Sequence, residues 1–246
     1  ALGFGVILGA NVADLTLAIG VVALFSGRLY LNPDTVKHIK RAFLAVLLPV
    51  LLFVDGDISQ VDGIILLFAF GVYLYTLLKN GSDDQEYMQK RGRISLIIQG
   101  IIFTVSVTFL FIGGSLVSEN AQQLSLLLGL PLFLIGVIVA IGTCLPEMTF
   151  AVRASKKEHG ELGLGNILGN VLADSMLTIG VIALIQPIRP DQPIAPLFTG
   201  IFMVISAVIV YIITKDGVLD RKDGALLTAV YSVFLVTQYM FEGFGI

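Results

Sequence analysis

Residues 161–185 read ELGLGNILGNVLADSMLTIGVIALI, and residues 1–25 read ALGFGVILGANVADLTLAIGVVALF. Aligned without gaps at an offset of 160, 14 of the 25 positions are identical. Asp174 falls opposite Asp14, Gly169 opposite Gly9 and Gly180 opposite Gly20. A second match lies further along. Asp55-Gly56 and Asp62-Gly63 recur as Asp216-Gly217 and Asp223-Gly224, at an offset of 161 and just before an apolar run. One long internal repeat with a single-residue slip accounts for both matches.

The 246 residues are 56% hydrophobic and only 13% charged. A soluble domain carries about 25% charged residues, so the chain is read as an all-α transmembrane protein. Eight apolar segments are long enough to cross or nearly cross a bilayer: 1–26, 38–54, 61–78, 94–117, 126–152, 162–185, 195–214 and 224–241. The second is the weakest, because Lys37, Lys40 and Arg41 must snorkel to the headgroups. Loops after segments one, three, five and seven hold 14 of the 15 Lys and Arg residues; the opposite loops hold only Arg189. Positive loops mark the cytoplasmic side, which puts loops 27–37, 79–93, 153–161 and 215–223 in the cytoplasm and both termini outside. Segment one then runs inward and its copy, segment six, runs outward. The repeat is inverted, and inverted repeats place matching residues at the midplane, where secondary transporters bind their cargo. Asp14 and Asp174 are therefore expected across one cavity.

Segment five carries a further costly stretch, Gly142-Thr143-Cys144-Leu145-Pro146-Glu147. Pro146 removes the helical partner of the Gly142 carbonyl. A helix broken there is tolerated at membrane depth where it lines a cavity, and an acid at that depth is a functional-site candidate. The glycines Gly3, Gly5 and Gly9, with their counterparts Gly163, Gly165 and Gly169, are expected to let helix backbones approach closely and to expose carbonyls to a cation. Cys144 is the one cysteine, so no internal disulfide forms; a small buried hydrophobe is its ordinary role. The acids of the 79–93 linker lack the spacing of a twelve-residue calcium loop.

These motifs together carry a resemblance. G-T-[SC]-x-P-E on one helix, then G-N-x-x-G with an acid nine residues after its first glycine, resembles the α-repeat of the cation/calcium exchanger superfamily, in its prokaryotic sodium/calcium branch. The likeness covers essentially the whole chain. It implies ten helices in two inverted halves, of which eight are present: 1–78 as the last three helices of the first repeat, 79–93 as linker and 94–246 as the second repeat. The chain starts inside an apolar run without a methionine, and a first copy of the GTCLPE stretch is expected ahead of Ala1. The resemblance assigns Glu147 and Asp174 to calcium, the backbone carbonyl of Thr143 to the cation, and Asn166 to the polar position of G-N-x-x-G. Asp14 stands where asparagine is common. Cys144, Ala10 and Asn170 stand where serine is common, and Val6 replaces the asparagine of the first copy. Asn11 joins the candidate site residues.

Calcium takes about 6–8 oxygens in irregular geometry. Asp14, Asp174 and Glu147 offer carboxylates for it, and crowded acids must be neutralised by calcium or by sodium or protons, which makes exchange the expected outcome. The implied function is a calcium/cation antiporter that exchanges Ca2+ for Na+ in a prokaryotic plasma membrane, with no bound cofactor, no nucleic-acid partner and no enzymatic reaction. Its partners are the lipid bilayer, the ions, and either a preceding segment or a second copy of the chain. A Ca2+/H+ exchanger is the alternative, favoured by Asp14 and by Cys144 in place of serine; a non-transporting fragment is another. An intramembrane aspartyl protease is disfavoured, because no GxGD motif occurs.

Overall fold

The computed structural model describes residues 2–80, 93–129, 132–156, 159–190 and 193–243. The expected 79–93 linker, apart from its ends, and Lys157 lie outside the described residues. Eight helical rods are described, one for each apolar segment. Rod α1 (residues 2–26) joins α-helix Leu2–Ala13, π-helix Asp14–Ala18 and α-helix Ile19–Ser26. Then come α2 Pro33–Leu52, α3 Gln60–Asn80, α4 Arg93–Leu128 and α5 Leu132–Lys156. Rod α6 (residues 160–185) joins Gly160–Leu172, π-helix Ala173–Thr178 and Ile179–Ile185; α7 Ile194–Thr214 and α8 Arg221–Gly243 complete the chain. Among the described residues, Phe4–Ser26, Gln60–Leu77, Gly160–Ile185 and Ile194–Thr214 are long and apolar enough to cross a membrane by themselves.

Two boundaries and one expected break differ from the apolar pattern. Rod α2 starts five residues before the predicted 38, because Asn32 caps it: its Oδ1 accepts from the Thr35 backbone N–H at 2.8 Å, and Pro33 holds the first helical position. The charges at Asp34, Lys37, Lys40 and Arg41 thus occupy its first turns. Rod α4 runs on past the predicted 117 through Glu119-Asn120-Ala121-Gln122-Gln123 and stops just before Gly129, whose φ is +62°. Nothing in that stretch breaks a helix, and the predicted start of segment five at 126 is therefore the last turn of α4. Rod α5 is continuous through Pro146 rather than broken there. A proline removes one hydrogen bond and tilts the axis, but the turns on either side keep theirs.

The chain divides into two compact units, 1–71 with 137–246, and 72–136. This cut does not follow the repeat boundaries. The smaller unit is built on α4, which at about 1.5 Å per residue is about 54 Å long and exposes Ile101, Ile102, Val105, Phe109 and Ile112. The larger unit holds most of both halves of the repeat, without α4, the end of α3 and the start of α5. Rod α1 is its most buried element, packed against α6, α7 and α8.

Inside the larger unit the inverted repeat appears as paired contacts. At the α1–α8 crossing, a Cβ on Gly224 would lie 2.7 Å from the Gly20 carbonyl oxygen. At the α3–α6 crossing, a Cβ on Gly63 would lie 2.9 Å from the Gly180 carbonyl oxygen. Gly20 and Gly180 are repeat partners, as are Gly63 and Gly224, so each half lends its last helix to the other. The caps match as well. The Ser59 backbone N–H donates to Asp62 at 2.8 Å, and the Asp220 N–H to Asp223 at 2.9 Å. The loops pair in the same manner. Leu29 and Tyr30 (β1) pair antiparallel with Leu219 and Val218 (β2) at one end, and Ile58 bridges Ile188 at the other.

The first of these ends is the basic one. There Glu161, opening α6, accepts from the Asn32 backbone and side-chain amides, so the loops after α1, α5 and α7 meet. At the opposite end Arg189 pairs with Asp57 at 3.2 Å. Of the glycines expected to pack closely, Gly163 does so, and Gly5, Gly9, Gly165 and Gly169 do not. Beyond its own helix, no described atom lies within 4 Å of a Cβ placed on Gly5, Gly9, Gly165 or Gly169, whereas one on Gly163 would lie 2.6 Å from the Ala151 Cα. Close approach belongs to Gly20, Gly63, Gly163, Gly180 and Gly224.

Candidate functional site

Both copies of the repeat open into π-helix at the aspartate. In α1 the Ile19 N–H reaches back five residues to the Asp14 carbonyl, and in α6 the Ile179 N–H reaches the Asp174 carbonyl. Such turns make up well under 1% of residues and gather at functional sites. Two of them in one register, each starting at or beside a membrane-depth acid, mark this crossing as built for more than packing.

Asp14 is fully buried, as are Asn11 and Ser175. The Asn170 side-chain amide of α6 donates to Asp14 Oδ2 at 2.8 Å. The Asn11 amide of α1 donates to Ser175 Oγ of α6 at 3.1 Å. From α5, the Cys144 thiol lies beside the Asp14 carboxyl and donates to the Ala10 carbonyl at 3.9 Å. Thr178 donates to Asp174 Oδ1 at 3.1 Å. Glu147 and Asp174 lie within Coulombic range of Asp14 and of each other. Three rods thus converge: α1 with Asn11 and Asp14, α5 with Cys144 and Glu147, and α6 with Asn170, Asp174 and Ser175.

Burial of a polar atom without a partner is costly, and nearly all buried polar atoms avoid it. Among the described residues, five buried side-chain oxygens have no hydrogen-bond partner, and three belong to this site: Asn11 Oδ1, Asp14 Oδ1 and Glu147 Oε2. An amide or ionised carboxylate oxygen only accepts. Unpartnered acceptors at membrane depth fit a hard cation or a proton.

Two other expected ligand residues have exposed side chains. Thr143 is exposed, and its hydroxyl donates to the Ala140 carbonyl at 2.8 Å. Asn166 is exposed one turn before Asn170. Nor do the acids close into one tight triad: among the described residues no three His, Cys, Asp or Glu side chains gather around a single metal position. Asp14 is turned to Asn170 and Cys144, and Asp174 to Thr178 on its own helix. Ser175 and Thr178 were missed from the sequence because they face Leu15 and Ala18 in the repeat and so break its identity. A spacing of four would have found Thr178. Asn166, Asn170, Asp174 and Thr178 form a polar stripe along one face of α6.

The profile of the family described as sodium/calcium exchanger protein matches residues 1–79 and 98–240. The chain belongs to that family. An uncharacterized membrane protein of Methanocaldococcus jannaschii is 26% identical over 242 residues, which cover 97% of this chain and 77% of that protein. The sodium/calcium exchanger MaX1 of Methanosarcina acetivorans is 30% identical over 141 residues, 56% of this chain and 40% of the relative. The inner membrane protein YrbG of Escherichia coli is 26% identical across 97% of this chain and 77% of its own length. Among solved structures, the sodium-calcium exchanger NCX_Mj soaked with zero Na+ and Ca2+ superposes with a TM-score of 0.67 at 25% identity, over 95% of this chain and 75% of that one. The exchanger family fits an integral membrane protein built as an inverted-repeat secondary transporter rather than an enzyme.

Proposed function

We propose that this exchanger-family protein is a calcium antiporter that exchanges Ca2+ for Na+ by alternating access at the Asp14–Glu147–Asp174 crossing. The observation that carries the proposal is the set of unpartnered oxygens on Asn11, Asp14 and Glu147, contributed by α1 and α5 against α6. A divalent ion drawing on these acids neutralises charges that repel one another at low dielectric. Sodium ions, each with one charge, neutralise them singly. A site that is costly to leave bare and charged exchanges one cargo for the other. The α6 stripe from exposed Asn166 to Asp174 offers a polar approach from the basic end, which this reading places in the cytoplasm. The name of MaX1 supports sodium as the coupling ion.

Proteoliposome flux tests this directly. Calcium uptake is expected to follow an imposed sodium gradient, and Glu147→Gln, which removes a charge but keeps the shape, is expected to lower the rate at least a hundredfold. Unchanged uptake in that variant refutes the site. One observation favours proton coupling instead: the fully buried Asp14 is flanked by Asn170 and the Cys144 thiol rather than by hydroxyls. A thiol is a poor ligand for a hard cation, while a proton needs only the carboxylate. Calcium uptake driven by a pH gradient, with sodium absent on both sides, selects that reading.

A further inference from the structure

At the basic end, α2 and α7 enclose a groove of about 140 Å3 lined by Lys40, Phe43, Leu44, Val208 and Tyr211. Four of the five lining residues are apolar or aromatic. The fifth is a lysine two turns into α2, and among the described residues it forms no ion pair. Its neighbour Lys37 differs: it is bound to Asp34 at 2.8 Å. The groove is roughly the size of a cavity that holds benzene, so it seats a short length of hydrocarbon rather than a whole molecule.

Depth decides what that molecule is. Tyr211 lies one turn before the end of α7 at Thr214, and Lys40 lies about 10 Å along the axis from the start of α2. That places the aromatic ring and the ammonium near the boundary between headgroups and hydrocarbon on the basic side, the level at which tyrosine and snorkelling lysine settle. An ammonium at this level lies among lipid phosphates and is attracted to an anionic headgroup. Among the described residues Asp34 supplies an anion to Lys37, and none pairs with Lys40.

We propose that the groove between α2 and α7 is a binding site for one anionic phospholipid, with an acyl chain against Phe43, Leu44 and Val208 and the phosphate on Lys40. The site is independent of the ion carried at the Asp14–Glu147–Asp174 crossing. It ties the membrane to α2, which packs against α6, and to α7, which packs against α1, so its occupant touches neighbours of two of the rods that carry the ion site.

Native mass spectrometry of the purified full chain, titrated with phosphatidylglycerol and with phosphatidylcholine of identical acyl chains, tests the proposal. Phosphatidylglycerol is expected to be retained about fivefold better, which corresponds to the ~1 kcal/mol that a basic residue contributes beside an anionic lipid. Lys40→Gln removes that preference, Lys40→Arg keeps it, and Lys37→Gln keeps it because Lys37 is already paired. Val208→Trp fills the groove without touching charge and lowers retention of both lipids. Both side chains lie at the surface of the fold, and monodisperse elution of each variant establishes that it is intact. Equal retention of the two lipids by the wild type overturns the proposal. So does a preference that survives Lys40→Gln, or binding unaffected by Val208→Trp.

Discussion

Adding one methyl group at Gly224 or Gly63 tests the paired helix crossings. At Gly224 the new carbon meets the Gly20 carbonyl oxygen at 2.7 Å and the Leu24 nitrogen at 2.9 Å. At Gly63 it meets the Gly180 oxygen at 2.9 Å and the Leu184 nitrogen at 3.0 Å. Comfortable contact begins at about 3.5 Å, so each pair of helices must part by roughly 0.6–0.8 Å. The obstructing atoms are backbone and cannot swing aside. Overpacking of this kind costs about 1–3 kcal/mol, against which alanine's better helix propensity returns about 1 kcal/mol. Gly71 supplies the control, since nothing lies within 4 Å of a Cβ there and Gly71→Ala gains the propensity alone. Gly224→Ala and Gly63→Ala are therefore expected to be about 1–3 kcal/mol less stable than Gly71→Ala, roughly 2–12 °C in midpoint for a chain of this size. Thermal unfolding of the purified protein in one detergent reads the difference. Two variants as stable as Gly71→Ala refute the close crossings. A loss at only one of them refutes the symmetry between the halves.

Acidification below about pH 4 is expected to loosen the start of α8. The Asp220 carboxylate accepts from the Asp223 and Lys222 backbone amides at 3.1 and 2.7 Å, which holds it below its usual 3.8; the contribution is complete above the unfolded value and lost as pH falls through the lower folded one. Asp220→Asn keeps the cap and is expected to flatten that part of the midpoint-versus-pH curve. Single cysteines at Lys222 and Arg189 are expected to react with impermeant reagents from opposite sides, Lys222 from the cytoplasm; labelling from one side removes the inverted topology. Cys144→Ser, by restoring an oxygen, is expected to increase sodium-driven calcium flux no more than about twofold if backbone carbonyls already complete the sodium shell. A tenfold gain shows instead that the thiol limits sodium coupling.

Much of this architecture was legible because inversion follows from two coarse signals, apolar length and basic loops, and neither requires a side-chain contact. The matching aspartates were legible because the repeat preserves them. Local detail was less so. The start of α2 was visible in Asn32-Pro33, a cap followed by a proline, but hydropathy outweighed it because the first turns are charged. The length of α4 escaped because polarity at Glu119 to Gln123 resembles a loop, although no residue there ends a helix. Continuity through Pro146 depends on the turns around it. The π-helical turns have no sequence mark, since any residue adopts them; they arise where three rods must bring polar groups together. Ser175 and Thr178 carry no mark in the repeat, because they are positions where its identity fails.

Those failures of identity give the site its direction. A repeat with identical copies would place Asp14 and Asp174 in equal surroundings, and neither carboxylate would bind first. Here the partners differ. Asp14 is fully buried and receives an amide from Asn170, whose counterpart Ala10 has nothing to offer Asp174. Asp174 is only half-buried and receives a hydroxyl from Thr178, whose counterpart Ala18 has nothing to offer Asp14. The Asn166–Thr178 stripe is polar throughout in α6 but reads Val6, Ala10, Asp14 and Ala18 in α1. A two-fold frame is what the proposed alternating access requires. The unequal stripes make the acid on α6 the wetter of the two and the acid on α1 the drier. On the proposed exchange reading, a cation approaching along α6 would meet Asp174 before Asp14, and would give up its water beside the buried, unpartnered oxygens of Asn11, Asp14 and Glu147.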